Sequence, residues 1–120
     1  LESLFVSSIQ GQIDTTVAGQ ESPRVPGILT IRIANVNAMK LIENMRILCV
    51  SAGSACKTLQ ATTSHVLKAM GMDEEEALAS FRISIGLSNT EAEMRRAADL
   101  IASHALALRS HSAVWPAAKN

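Results

Sequence analysis

Ser80-Phe81-Arg82-Ile83-Ser84-Ile85-Gly86 alternates without a break, with Phe81, Ile83 and Ile85 apolar and Arg82, Ser84 and Gly86 not. Successive side chains of a strand point to opposite faces, so this segment reads as a half-buried strand with one side on a core. Such a strand needs a neighbour and a cover. Leu29–Ala34 supplies the neighbour, since Leu29, Ile31 and Ile33 alternate with Thr30, Arg32 and Ala34. Ile47-Leu48-Cys49-Val50 is a compact apolar run and reads as a central strand, and Gln12–Ala18 is a further strand candidate.

Helical spacing supplies the cover. Leu1, Leu4, Phe5 and Ile9 fall on one face of a first helix, and Met39, Leu41, Ile42 and Met45 mark a short second one. Ser64–Met70 resumes the pattern with Val66, Leu67 and Met70 inward, and Gly71 suits the left-handed position that closes a helix. Asp73 caps a short acidic helix, and Glu76 completes a capping box. The last helix starts at Ser88 with Glu91, or at Thr90 with Glu93. Its buried face is expected to be Met94, Ala97, Ala98, Ile101, Ala105 and Leu108. Gly19–Pro26 and Ser51–Gln60 read as loops. Helices interleaved with a few strands make a small α/β (α+β) domain.

Composition bounds this reading. At 120 residues and 12.8 kDa, the chain is one domain, 1–120, able to bury roughly two thirds of its unfolded surface. A hydrophobic content of 48% excludes a disordered chain, and a charged content of 18% falls below the usual quarter, which points to apolar surface awaiting a partner. Basic and acidic residues balance at 11 each, and there are only two Phe, one Trp and no Tyr. That argues against a nucleic-acid surface, which needs positive charge and stacking rings. No apolar run approaches the roughly 20 residues of a membrane span, and no basic-then-apolar leader opens the sequence. Two cysteines are too few for a disulfide scaffold, so a cytoplasmic or equally reducing compartment is expected. Leu1 already lies inside a helical pattern, so the chain reads as the tail of something longer.

Chemistry centres on two side chains. Cys56 sits in the small, polar loop SAGSACKTLQ, where a thiol is accessible; its thiolate is the nucleophilic form, and Lys57 favours that form by charge. The plainer alternative is a small hydrophobe tucked under a loop. Arg82 shares a strand face with Ser84, opposite the buried residues. A guanidinium held on a rigid strand can clamp a carboxylate with two parallel hydrogen bonds, the alternative being an ordinary surface arginine. Cys49 reads as inert core. Cys49, Cys56 and His65 match no zinc or iron–sulfur spacing, so no metal site is expected. His104 and His111 default to exposed surface, and Asp73–Glu76 to a solvated helix start. Neither Ser51 nor Ser54 has a partnered His and carboxylate in sequence.

Several stretches together resemble one family. Val25-Pro26-Gly27 is similar to the turn before the small-domain sheet of cysteine desulfurases, which are pyridoxal-phosphate (PLP) enzymes of the class V aminotransferase fold. Val50-Ser51-Ala52-Gly53-Ser54-Ala55-Cys56 resembles their SSGSAC loop, and Ser64–Gly71 the helix that follows it. Ser80–Gly86 with Thr90-Glu91-Ala92-Glu93 resembles their SIRFSLG…TEEE segment. The likeness covers nearly the whole chain. Thr30 stands where the family has Asn after the Pro-Gly turn, and Leu87 where it has Arg.

The resemblance implies the C-terminal small domain of a NifS/IscS-like enzyme, with a short, largely antiparallel sheet packed by helices as in fold-type I PLP enzymes. It implies that Cys56 takes sulfur from L-cysteine as a persulfide, releasing alanine, and that Arg82 holds the substrate carboxylate. The sulfur would pass to an acceptor protein for iron–sulfur cluster assembly or other sulfur transfer. The PLP-binding lysine and ring-stacking histidine would lie in an upstream large domain, and Lys40, Lys57, Lys68 and Lys119 sit in no such context. A homodimer is implied for the full-length enzyme. Alternatives are a class V PLP lyase or aminotransferase relative, and a non-catalytic sulfur-carrier or interaction module that keeps only the cysteine.

Overall fold

A computed structural model describes residues 1–45, 47, 48, 50, 51 and 65–111. The two alternating segments are neighbours in one sheet. Strand β2 (Ile28–Ile33) pairs antiparallel with β4 (Ser80–Ser84), setting Leu29 opposite Ile83, Thr30 opposite Arg82 and Ile31 opposite Phe81. Strand β1 (Thr15–Val17) adds to the free side of β2, and β3 (Val50–Ser51) to the free side of β4. The order is β1-β2-β4-β3, every pair antiparallel. The expected small α/β domain with an antiparallel sheet is therefore present.

The register puts Leu29, Ile31, Ile33, Phe81 and Ile83 on one face, all buried. Helix α1 (Glu2–Gln10) and helix α5 (Glu91–His111) cover that face and pack on each other. Phe5 and Ile9 of α1 meet the core beside Met94, Ala98, Ile101, Ala102 and Ala105 of α5. Ala97 and Leu108 are only partly buried, and Ala102 joins the expected face. Helix α2 (Ala38–Glu43) closes one end through Ala38 and Leu41, its start capped by the Asn37 side chain. Arg109, near the end of α5, donates through Nε and Nη2 to the Ala34 carbonyl, fixing the turn after β2.

Two expectations are corrected. The apolar run at 47–50 is not a central strand: β3 holds only Val50 and Ser51 and lies at the sheet edge, while Ile47 is 68% exposed. Its apolarity has another cause. Leu48 and Val50 face the side of α5 across a cleft rather than lying between two layers. The helix at 64–70 is α3 (His65–Ala69), and only Leu67 is buried, with Val66 67% and Met70 51% exposed. A helix of barely more than one turn can direct only one side chain into a core.

Local signals hold. Gly71 adopts φ +88°, the Met72 N–H reaches the Leu67 carbonyl at 3.1 Å and the Gly71 N–H the Lys68 carbonyl at 3.0 Å, which ends α3 in a Schellman motif. Helix α4 (Glu74–Leu78) begins in the expected Asp73–Glu76 capping box. Of the two starts weighed for the last helix, Thr90 with Glu93 is the one realised. The Glu93 N–H donates to Thr90 Oγ1 at 3.2 Å, and the Thr90 N–H donates to Glu93 Oε2 at 2.9 Å. Among the described residues no helix is long and apolar enough to cross a membrane.

Candidate active site

Arg82 lies on the face of the sheet away from α1 and α5, in the middle of β4. Its register partners are Thr30 on β2 and Ser51 on β3, and Ser84 is the next residue on the same face. Hydroxyl-bearing residues thus flank it along and across the sheet. The side chain is exposed. A second arginine shares this face but is engaged: Arg32 Nη1 lies 2.6 Å from Glu76 Oε1, and its Nε donates to Thr16 Oγ1 at 3.1 Å. Among the described residues no carboxylate pairs with Arg82. Five donors in a planar fork match a carboxylate, and strand pairing on both sides fixes the base of the side chain.

Helix α4 covers only one end of this face. The Ser80 hydroxyl donates to the Glu76 carbonyl at 2.7 Å, and the Arg32–Glu76 ion pair closes the same corner. At the other end Ile28, Val25 and Leu87 are 44%, 65% and 108% exposed. Leu87 is therefore fully in solvent beyond the end of β4.

Cys56 lies outside the described residues, as do Cys49, Lys57, Ser54 and Lys119. The chain leaves β3 at Ser51, beside Arg82, and Cys56 follows five residues later. His65 is exposed at the start of α3, and His104 is half-buried with Nδ1 2.8 Å from the Leu100 carbonyl, so it is less exposed than expected. Among the described residues no three His, Cys, Asp or Glu side chains gather as a metal site. A cleft of about 520 Å³ runs between α5 and the β3–β4 edge, lined by Leu48, Val50, Ile83, Ala97 and Leu100 among others. Arg82 does not line it.

Sequence reasoning missed the contacts that brace this region. Glu2 receives the Gly27 N–H at 2.9 Å and Arg24 Nη2 at 2.5 Å. The Gly27 N–H and then Arg24 hold its carboxyl below the ordinary value. The Arg32–Glu76 pair was equally invisible, its partners being 44 positions apart. The one available signal was Gly27 after Pro26, which marks a turn without naming what holds it.

The described residues form a four-stranded antiparallel sheet with α1 and α5 on one face and the exposed Arg82 on the other, which defines a small α/β domain. No family model matches the chain. It is 36% identical over 115 residues to the cysteine desulfurase IscS of Neisseria meningitidis serogroup A, covering 96% of this chain and 28% of that protein. It is 38% identical over 112 residues to the IscS of Rickettsia bellii, covering 92% and 27%. The crystal structure of a NifS-like protein from Rickettsia africae superposes with a TM-score of 0.71 at 25% identity, over 86% of this chain and 26% of that one. Along nearly all its length, then, the chain is a relative of the NifS/IscS-like cysteine desulfurases and corresponds to their C-terminal part. It spans 28% of the length of the Neisseria relative.

Proposed function

We propose that this chain is the C-terminal small domain of a PLP-dependent cysteine desulfurase, in which Arg82 binds the carboxylate of L-cysteine and Cys56 accepts its sulfur. The observation that carries this reading is the open Arg82 guanidinium on β4, paired across the ladder with the strand whose end leads to Cys56. Five peptide links span at most about 18 Å, so the clamp and the thiol belong to one neighbourhood. The net step balances without an external oxidant. A sulfur–sulfur bond forms between the Cys56 thiolate and the substrate sulfur, the substrate carbon–sulfur bond breaks, and the carbon takes a proton to give alanine, leaving a persulfide.

The described residues do not fit a PLP cradle. Lys40 and Lys68 stand exposed on α2 and α3, and neither lines the cleft between α5 and the β3–β4 edge. The cofactor is assigned to the upstream domain, where bound PLP would supply the electron sink for breaking the substrate's carbon–sulfur bond. The same resemblance supports a homodimer, a cytoplasmic setting and an acceptor protein for the persulfide.

Two variants of the full-length enzyme test the role assignment because they should fail differently. Cys56→Ala keeps the clamp, so cysteine binding measured by spectral titration should persist while alanine and persulfide production nearly vanish. Arg82→Ala keeps the nucleophile but removes a charge-assisted pair worth roughly 1.5–3 kcal/mol. That is on the order of a ten- to hundredfold loss in kcat/KM, much of it in substrate binding. Normal turnover by Cys56→Ala would replace this reading with a lyase one. Unchanged cysteine affinity in Arg82→Ala would return Arg82 to the surface.

A further inference from the structure

The end of the β2–β4 ladder beyond Arg82 is held from the opposite layer of the domain. Glu2, in the first turn of α1, is on the helical side of the sheet, yet its carboxylate reaches the turn that opens β2. Oε2 accepts the Gly27 N–H at 2.9 Å, and Oε1 receives Arg24 Nη2 at 2.5 Å. Arg24 Nη1 in turn extends to the Ile28 carbonyl at 3.4 Å, so both ends of the 24–28 turn are tied to one carboxylate. The turn then grips β4, because the Ile85 N–H donates to the Gly27 carbonyl at 2.7 Å. Gly27 adopts φ +82°, and a Cβ there would sit 2.7 Å from the Ile85 carbonyl oxygen, so the two backbones are in close contact. From Ile85 the ladder runs through the Ile28–Ser84 pair to the Thr30–Arg82 pair.

We propose that Glu2 is a positioning residue for the substrate site: its carboxylate, acting through Gly27 and Ile85, fixes the end of the β2–β4 ladder and with it the direction of the Arg82 guanidinium. This rests on Arg82 binding the substrate carboxylate. Glu2 touches no reacting atom. Its effect is on how narrowly the clamp is aimed, and a clamp using two parallel hydrogen bonds is sensitive to small displacements. The contact joins residues 25 positions apart and involves neither Arg82 nor the segment containing Cys56.

The test has two arms. In the full-length enzyme, amide hydrogen exchange read by mass spectrometry should show Glu2→Gln raising exchange in peptides containing Gly27 and Ile85 at least tenfold and at Ile83 by a smaller factor, with the β1 amides of Thr15–Val17 unchanged. Glutamine keeps the length and one acceptor oxygen but loses the ion pair with Arg24. In the full-length enzyme, Glu2→Gln should raise KM for cysteine several-fold with kcat changed less than twofold, and Arg24→Gln should reproduce the effect. Unchanged exchange, or an equal rise in every strand, overturns the proposal, since the first means no tie and the second only lost stability. Local loosening with an unchanged KM overturns it as well. If Arg82→Ala itself leaves cysteine affinity unaltered, the reading of the site has failed. A failure confined to Glu2 leaves that reading standing.

Discussion

Two N–H groups converge on the Glu93 carboxylate, the backbone amide of Thr90 at 2.9 Å and the side-chain amide of Asn89 at 3.2 Å. The Thr90 contact, then the Asn89 contact, lowers the Glu93 pKa from its ordinary 4.5. A depressed carboxylate contributes stability above its unfolded value and loses it as pH falls through the folded one. The start of α5 should therefore be fully supported at pH 7 and weaken below about pH 4.5. Urea midpoints measured from pH 7 down to 3 check this. Glu93→Gln should flatten the acid limb relative to the parent protein, and an unchanged limb would mean that the ionised form contributes nothing there. This cap, like the Asp73–Glu76 box, was legible because its partners lie within one helical turn. The Glu2 contact was not legible, because no local spacing rule connects position 2 to position 27. Arg82 was placed correctly on the outer face, since period-two alternation is enough to assign a side chain to a face.

At the level of elements, the tight contact is α1 on α5. Ala98, Ala102 and Ala105 are at most 1% exposed, and small residues let the helix approach Phe5 and Ile9 closely. Enlarging one of them should force side chains off their rotamers. Ala98→Leu is expected to cost about 1–3 kcal/mol, read as a lower urea midpoint with an unchanged slope. A neutral result would mean that the α1–α5 seam has slack. The expected face of α5 omitted Ala102 because an alanine-rich helix offers weak contrast between stripes. The run at 47–50 misled for a related reason. Four apolar residues in a row look alike whether they are a strand between two layers or an edge lining a cleft, and periodicity cannot separate the two. By contrast β2 and β4 alternate cleanly, so sequence alone placed them to within a residue or two.

For the molecule as a whole, the two faces of the sheet are unequal. One is sealed by α1 and α5. Among the described residues the other is covered at one corner by α4, with Val25, Ile28 and Leu87 exposed at the end beyond Arg82. With equal numbers of acidic and basic residues, the chain has no net repulsion to keep copies apart, so the isolated 120-residue chain should associate as its concentration rises. Light scattering over a concentration series at neutral pH checks this, and a strictly monomeric species would show that the face is innocuous. The position of β3 has a different consequence. Because β3 is two residues long and at the edge, it contributes only the Val50–Ile83 and Ser51–Arg82 pairs, and the five pairs of β2 with β4 are formed without it. A sheet edge of two residues can lengthen, shorten or disappear among relatives with the loss of two pairs and no change to the central ladder. The clamp proposed at Arg82 thereby keeps its β2 support whatever the edge beside it becomes.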